Sequence, residues 1–162
     1  MRRANLPSRS GLVALSLLAA ALAVLILSPA AARAADALLS QGKPATGSSI
    51  EAAYVAANAV DGNTATRWGS AFSDPQWLQV DLGATSTISQ VVLNWERAYA
   101  TAFQSQTSDD AASWTTIYST TTAKGGVETL DVSGSGRYVR MYGTARATGY
   151  GYSLWEIQVY GQ

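Results

Sequence analysis

The chain has no cysteine and no histidine. No disulfide can cross-link it. Thiolate nucleophiles, imidazole bases, Cys/His zinc sites and the Ser-His-Asp triad are all excluded. Charge is scarce, at 14% of residues, with eleven of each sign. Only one long apolar run exists, Leu12 to Leu27, broken by Ser16 alone, so nothing later in the chain reads as a bilayer span.

That run has the surroundings of a secretory signal peptide. Arg2, Arg3 and Arg9 precede it with no acid among them, and small residues follow it down to Ala32-Arg33-Ala34. A basic start, an apolar middle and an A-x-A end predict cleavage after Ala34 and a secreted, extracellular protein; the alternative is an uncleaved anchor. Residues 1–34 are then signal and residues 35–162 the working domain, 128 residues long with seven basic and eleven acidic side chains, a net charge of −4. This is the size of one domain. Its charge does not suit nucleic acid or an anionic membrane, both of which need clustered Lys and Arg.

All fifteen aromatic residues fall in this part. So many rings in so small a domain suggest that some serve a surface. The texture is all-β, short alternating runs parted by Gly, Ser, Asp and Asn. Strands are expected at 43–49, 77–82, 88–95, 102–107, 114–119, 127–132 (an edge), 137–142 and 154–160. Leu78, Val80 and Leu82 share one face; so do Val91, Leu93 and Trp95, then Val139 and Met141, then Ile157 and Val159. One turn of helix is expected within 52–59, and hairpin turns at Gly125-Gly126 and Gly134–Gly136. Eight short strands with regular turns read as an all-β, eight-stranded antiparallel β-sandwich or jelly roll.

Two groups of residues carry chemistry of their own. In Asp61-Gly62-Asn63-x-x-Thr66 a glycine turn can fold three oxygens inward, as a hard dication requires; equally, Asp61 can simply cap backbone amides. The aromatics divide between strands and loops. Trp68, Trp77, Trp95, Trp114 and Trp155 sit in or beside strands and read as packing, whereas Tyr54, Phe72, Tyr99, Tyr150 and Tyr152 lie in loops. A loop ring can stack on the C–H face of a sugar, with Glu51, Arg67, Glu96, Arg97 and Arg146 as nearby polar groups to grip hydroxyls or an amine. The acids are scattered singly apart from Asp109-Asp110, and Asp81, Asp110 and Asp131 read as turn or strand-edge residues. A glycosidase needs two carboxyls flanking a cleft, so no catalytic residue and no enzyme activity is expected.

Six segments in order resemble a known family: Lys43-Pro44-Ala45-Thr46; Ala59-Val60-Asp61-Gly62-Asn63-Thr64-Ala65-Thr66-Arg67-Trp68; Asp74-Pro75-Gln76-Trp77-Leu78 with Val80-Asp81-Leu82-Gly83; Gln106-Thr107-Ser108-Asp109-Asp110 with Trp114; Gly136-Arg137-Tyr138-Val139-Arg140; and Leu154-Trp155-Glu156-Ile157. Together they resemble the discoidin, or coagulation factor V/VIII type C, domain, whose bacterial members include the family 32 carbohydrate-binding modules. The resemblance runs from about Leu39 to Gly161. It implies a jelly roll of the galactose-binding-domain type with ligands held by loops at one end.

The resemblance also implies site residues. A structural Ca²⁺ would be held by Asn58 and Trp155 through backbone oxygens and by Asp61, Asn63, Thr66 and Glu156. The stretches 67–77 and 150–156 resemble the subgroup attached to chitosan- and β-glucan-degrading enzymes. There, the matching sugar-site positions are Glu51, Arg67, Phe72 and Tyr150 or Tyr152. Phe72 departs from the subgroup in lacking a polar tip, and the missing histidine departs from the galactose-binding pattern. Arg67 could instead brace the calcium loop through a salt bridge. The expected partner is a polysaccharide or oligosaccharide of β-glucan or chitosan type, bound by a monomer. The competing expectations are a cell-surface adhesion or phospholipid-binding domain, and a purely structural one.

Overall fold

A computed structural model describes residues 35–162; the expected signal peptide, 1–34, lies outside them. The described chain forms eight strands: β1 (Ala37–Leu38), β2 (Ala45–Gly47), β3 (Trp68–Gly69), β4 (Gln76–Trp95), β5 (Ala100–Ser108), β6 (Thr115–Thr120), β7 (Val127–Arg146) and β8 (Ser153–Gly161). Every pairing is antiparallel. The fold is the eight-stranded antiparallel jelly-roll sandwich that the alternation predicts. Among the described residues no helix is long and apolar enough to cross a membrane.

The strands are not the eight that were expected. The runs at 77–82 and 88–95 are two halves of β4, and those at 127–132 and 137–142 two halves of β7, each strand twenty residues long. The first half of β4 pairs with β2 and with 138–143 of β7; its second half pairs with β8 and with 127–131 of β7. Both strands thus cross from one layer of the sandwich to the other, through register shifts near 81–86 and 88–90. The turn expected at Gly134–Gly136 is therefore strand, pairing with 86–88 of β4. Its glycines answer to crowding: a Cβ on Gly134 would lie 2.6 Å from Ile117, and one on Gly136 2.9 Å from the Ser108 carbonyl oxygen. The expected edge holds in part, since 127–131 pair with β4 alone. β1 and β3, two residues each, are too short to show an alternation.

The inward sets follow the pattern: Leu78, Val80, Val91, Leu93, Val139, Met141, Ile157 and Val159 are buried in one core with Trp68, Trp95, Phe103 and Tyr152. Of the expected helical turn, Ala56–Ala59 is a 3₁₀ turn, with Ala56 and Ala59 buried. Asp109-Asp110 lies in the β5–β6 hairpin. The Asp110 carboxylate accepts hydrogen bonds from the Ala112 and Ser113 amides, which hold its pKa well below the usual carboxylate range. Asp81 receives a bidentate bond from Arg137. Both acids are committed to structure.

Strand direction sets where the loops meet. Trp95, the last residue of β4, pairs with Leu154, and Ser153 opens β8 opposite Gly69. Residues 50–55, 67–75, 96–98 and 147–153 are thereby gathered at one end of the sandwich.

Candidate sugar and cation sites

The loop end holds a cavity of ≈ 370 Å³, of the size of small-molecule sites, bordered by Glu51, Tyr54, Arg67, Glu96, Arg97, Ala98, Thr148, Tyr150, Gly151, Tyr152 and Ser153. Glu51 is fixed by the backbone. Its amide donates to the Gly69 carbonyl at 2.8 Å, the Tyr54 amide donates to the Glu51 carbonyl at 3.0 Å, and the Gly69 amide donates to the Tyr54 carbonyl at 3.0 Å. The 51–54 turn is thus clipped to β3. Arg67 lies flat on Tyr54, its guanidinium carbon 3.6 Å from the ring centroid, and Nη1 donates to Ser153 Oγ at 2.7 Å. The expected alternative, a salt bridge bracing the calcium loop, is absent. Among the described residues the ion pairs are Arg137–Asp81 and Arg146–Asp74, so Glu51, Arg67, Glu96 and Arg97 border the cavity without an ion-pair partner, while Glu96 Oε2 accepts from the Ala98 amide at 3.0 Å.

Tyr150 and Phe72 form the rim. Both are exposed, at 66% and 48%, and meet edge to face with ring centroids 5.7 Å apart. Phe72 does not border the cavity itself. Tyr152 is different. Its side chain is 0% exposed, turned into the core against Gly143, and its hydroxyl donates to Asp74 Oδ1. Burial, then the Asp74 acceptor, pushes that hydroxyl's pKa well above its ordinary range. Tyr152 thus borders the cavity as expected, but the expectation that it offers an open ring to a ligand is corrected: its amide donates to Ser70 Oγ and its hydroxyl to Asp74, which turn the ring inward and make it an anchor of the loop. Asp74 also accepts from Arg146 Nε at 3.1 Å, and Arg146 Nη1 donates to the Tyr150 carbonyl at 3.2 Å. Gly151 seats the loop closely, since a Cβ there would lie 2.3 Å from the Ser70 carbonyl oxygen.

The expected set of Glu51, Arg67 and Tyr150 is thus brought together, with Phe72 beside it. Tyr54, Glu96 and Arg97, weighed in the sequence as loop groups, also belong to the cavity, whereas Tyr99 packs against the core. The signal that adds Glu96 is positional: it follows Trp95, the last inward residue of β4, so it must surface beside the start of β8. Its amide donates to the Ser153 carbonyl at 3.0 Å. Folding therefore unites two acids that stand far apart in the chain.

The second site lies between the 61–66 loop and β8. Asp61 Oδ1 accepts from the Asn63 amide at 2.8 Å, Asp61 Oδ2 accepts from Thr66 Oγ1 at 2.7 Å, and Asn63 Oδ1 accepts from the Ala65 amide at 3.0 Å. Asn58 Nδ2 donates to the Arg67 carbonyl at 3.0 Å. Facing the loop is Glu156, 5% exposed, whose pKa is pushed up to about 7 by burial first and then by the Asp61 carboxylate. Glu156 Oε1 is buried with no hydrogen-bond partner. Trp155 is the residue skipped where β8 shifts register against β4, a bulge of the kind that re-aims backbone groups. Among the described residues no three or more His, Cys, Asp or Glu side chains cluster, so a cation here would rely on two carboxylates plus amide, hydroxyl and backbone oxygens. The residues fit one: two carboxylates face each other, one with an orphaned buried oxygen, beside an oxygen-rich turn.

Known proteins resemble this chain in sequence and fold. Chitosan-binding module 2 from a chitosanase/glucanase of Paenibacillus sp. IK-5, solved in complex with chitotriose, is 51% identical, with a TM-score of 0.73 over 76% of this chain and 99% of that one. Module 1 of the same enzyme is 48% identical, with a TM-score of 0.75 over 77% of this chain and 99% of that one. A family 32 module from C. perfringens NanJ, at 22% identity and a TM-score of 0.68, shares the fold. Among curated proteins, the polysaccharide lyase 8 family protein HylA of Enterococcus faecalis is 37% identical over 76 residues, 47% of this chain; the match spans only 6% of HylA. The F5/8 type C domain profile matches residues 44–157, and the chain belongs to the F5/8 type C domain family.

Proposed function

We propose that this domain is a secreted, non-catalytic carbohydrate-binding module for a polysaccharide of chitosan or β-glucan type, with a structural Ca²⁺ that stabilises the fold. The observation that carries the sugar reading is the cavity itself. Two carboxylates, Glu51 and Glu96, and two guanidiniums, Arg67 and Arg97, none of them in an ion pair, border a space rimmed by Tyr150 and Phe72. An aromatic rim buries the apolar face of a pyranose. The carboxylates accept from an ammonium or hydroxyl, and the guanidiniums donate to ring and hydroxyl oxygens. Similarity to a module solved with chitotriose supports an amino sugar, and the acids supply the charge for it. Asp61 and Glu156, with oxygens of Asn58, Asn63, Thr66 and Trp155, would hold the Ca²⁺. The ion would neutralise two facing carboxylates and tie the last strand to an early loop. The secreted reading is supported by the sequence of residues 1–34, with its basic start, apolar middle and A-x-A end.

Titration calorimetry tests this. Glu51→Gln is expected to weaken binding of glucosamine oligomers about tenfold, the loss of one charge-assisted hydrogen bond of ~1.4 kcal/mol. High salt should weaken the wild type in the same direction. Neutral β-glucan oligomers should lose little in Glu51→Gln, and both ligands should lose about 1 kcal/mol in Tyr150→Ala. Unchanged affinity for both ligands in both variants, or reducing ends released by the purified domain, would overturn the reading.

The competing membrane reading has one observation in its favour, the exposed Ile50, Val55, Phe72 and Tyr150 on these loops. The acids among them oppose an anionic bilayer, and flotation with phosphatidylserine vesicles separates the two.

A further inference from the structure

A second cavity, ≈ 360 Å³, lies beside the first. The two share a wall made of Tyr54 and Arg67, stacked at 3.6 Å. Beyond that wall the floor is small and open, formed by Ala53, Asn58, Ala65 and Thr66, and Trp155 stands at its side, partly buried. Trp155 is the one tryptophan that a strand irregularity takes out of the ladder with β4. Its partial exposure contrasts with Trp68 and Trp95, which the core buries.

We infer that this second cavity is a second sugar subsite, so that the domain grips at least two residues of one chain laid across the Tyr54–Arg67 wall. The inference rests on the glycan reading above and adds which part of the surface meets the rest of the polymer. The chemistry differs between the two ends. The first cavity carries four charged groups and selects one sugar by its polar edge. The second is lined by the methyl groups of Ala53 and Ala65, the Thr66 hydroxyl, the Asn58 amide and the Trp155 indole, with Arg67 as its charge, a mostly neutral surface that borders the cation loop and suits stacking on a pyranose face with few polar contacts. Arg67 faces both, so it can donate to two successive sugars, and its position is held by Ser153 Oγ at 2.7 Å. A long polymer then gains from linked contacts within one binding event.

The test is a length series of glucosamine oligomers, from monomer to tetramer, titrated into the wild-type domain and into Ala53→Gln and Ala65→Gln. Each variant puts a neutral, longer side chain into the second cavity at a position that does not border the first. The wild type should gain about fivefold to tenfold between the monomer and the longer oligomers, the worth of one aromatic stacking contact. Both variants should keep the monomer affinity and lose that gain, and Trp155→Ala should flatten the series as well. Thermal melts of each variant report folding separately. Equal affinity along the series in the wild type, or a length gain that survives both glutamine variants, would overturn the second subsite while leaving the first cavity's role intact. No binding of any oligomer would overturn the glycan reading on which it rests.

Discussion

Replacing Trp68 with alanine should remove about 3–5 kcal/mol of stability, a large share of the roughly 5–15 kcal/mol that holds a domain of this size. Trp68 is fully buried, and its indole Nε1 donates to the Ser49 carbonyl at 3.0 Å. The backbone closes around it so tightly that a Cβ on Gly47 would lie 2.6 Å from that nitrogen, so the hole left by truncation has little freedom to collapse. Trp68→Phe keeps much of the apolar volume but strands the Ser49 carbonyl, and should cost about 1–3 kcal/mol. Urea midpoints with unchanged slopes would measure both. Trp68 touches no sugar cavity, yet its neighbours Arg67 and Gly69 hold the Tyr54 ring and the Glu51 turn, so sugar affinity should fall as well. A loss below about 1 kcal/mol in Trp68→Ala would contradict the tight packing described.

Chelation should lower the melting temperature, and more than any single surface substitution. A ligand that binds only the folded state adds about 2.7 kcal/mol at a hundredfold excess over its dissociation constant, or about 10 °C for a domain of this length. Asp61→Ala should abolish the response to Ca²⁺ and chelator. Glu156→Gln separates a cation site from a plain structural acid. It removes the repulsion between two facing carboxylates, so in chelator the variant should melt at or above the wild type, while added Ca²⁺ should no longer help it. A carboxylate valued for protein hydrogen bonds alone would give the opposite sign. Identical wild-type melts with Ca²⁺ and with chelator, and no calcium on elemental analysis of the purified domain, would remove the site.

The inward residues were legible before any coordinates because strand alternation is a local pattern. Leu78 and Val80, or Val139 and Met141, reveal their face by spacing alone. The length of β4 and β7 was not legible, because Gly83 and Gly134–Gly136 break the pattern where the strands change layer, and a crossing looks like a turn in sequence. The sugar cavity was half legible. Glu51, Arg67 and Tyr150 stood out as loop groups in segments with a known resemblance. Tyr152 misled because two tyrosines around Gly151 look alike in a loop, and only the Ser70 and Asp74 hydrogen bonds decide which one turns inward. Glu96 and Arg97 stood among the nearby polar groups, but that they share one cavity with Glu51 follows only from which strand ends meet. For the cation loop the sequence supplied the oxygens, but the orphaned Glu156 Oε1 is visible only in three dimensions.

The sheet order β1-β8-β4-β7-β5-β6 places the last strand of the chain in the middle of the structure. A ribosome delivers β8 after everything it must pair with. Until then β4 shows an unprotected edge along 88–95, and unpaired edges recruit other chains. Contacts such as Ala37 with Gly161 close loops of nearly the full domain length, so folding belongs to the slow, millisecond-to-second regime of nonlocal β topologies. A chain cut before Ser153 should therefore yield aggregate rather than a weaker version of the domain, and expression of shortened forms should fail at assembly long before binding can be asked about.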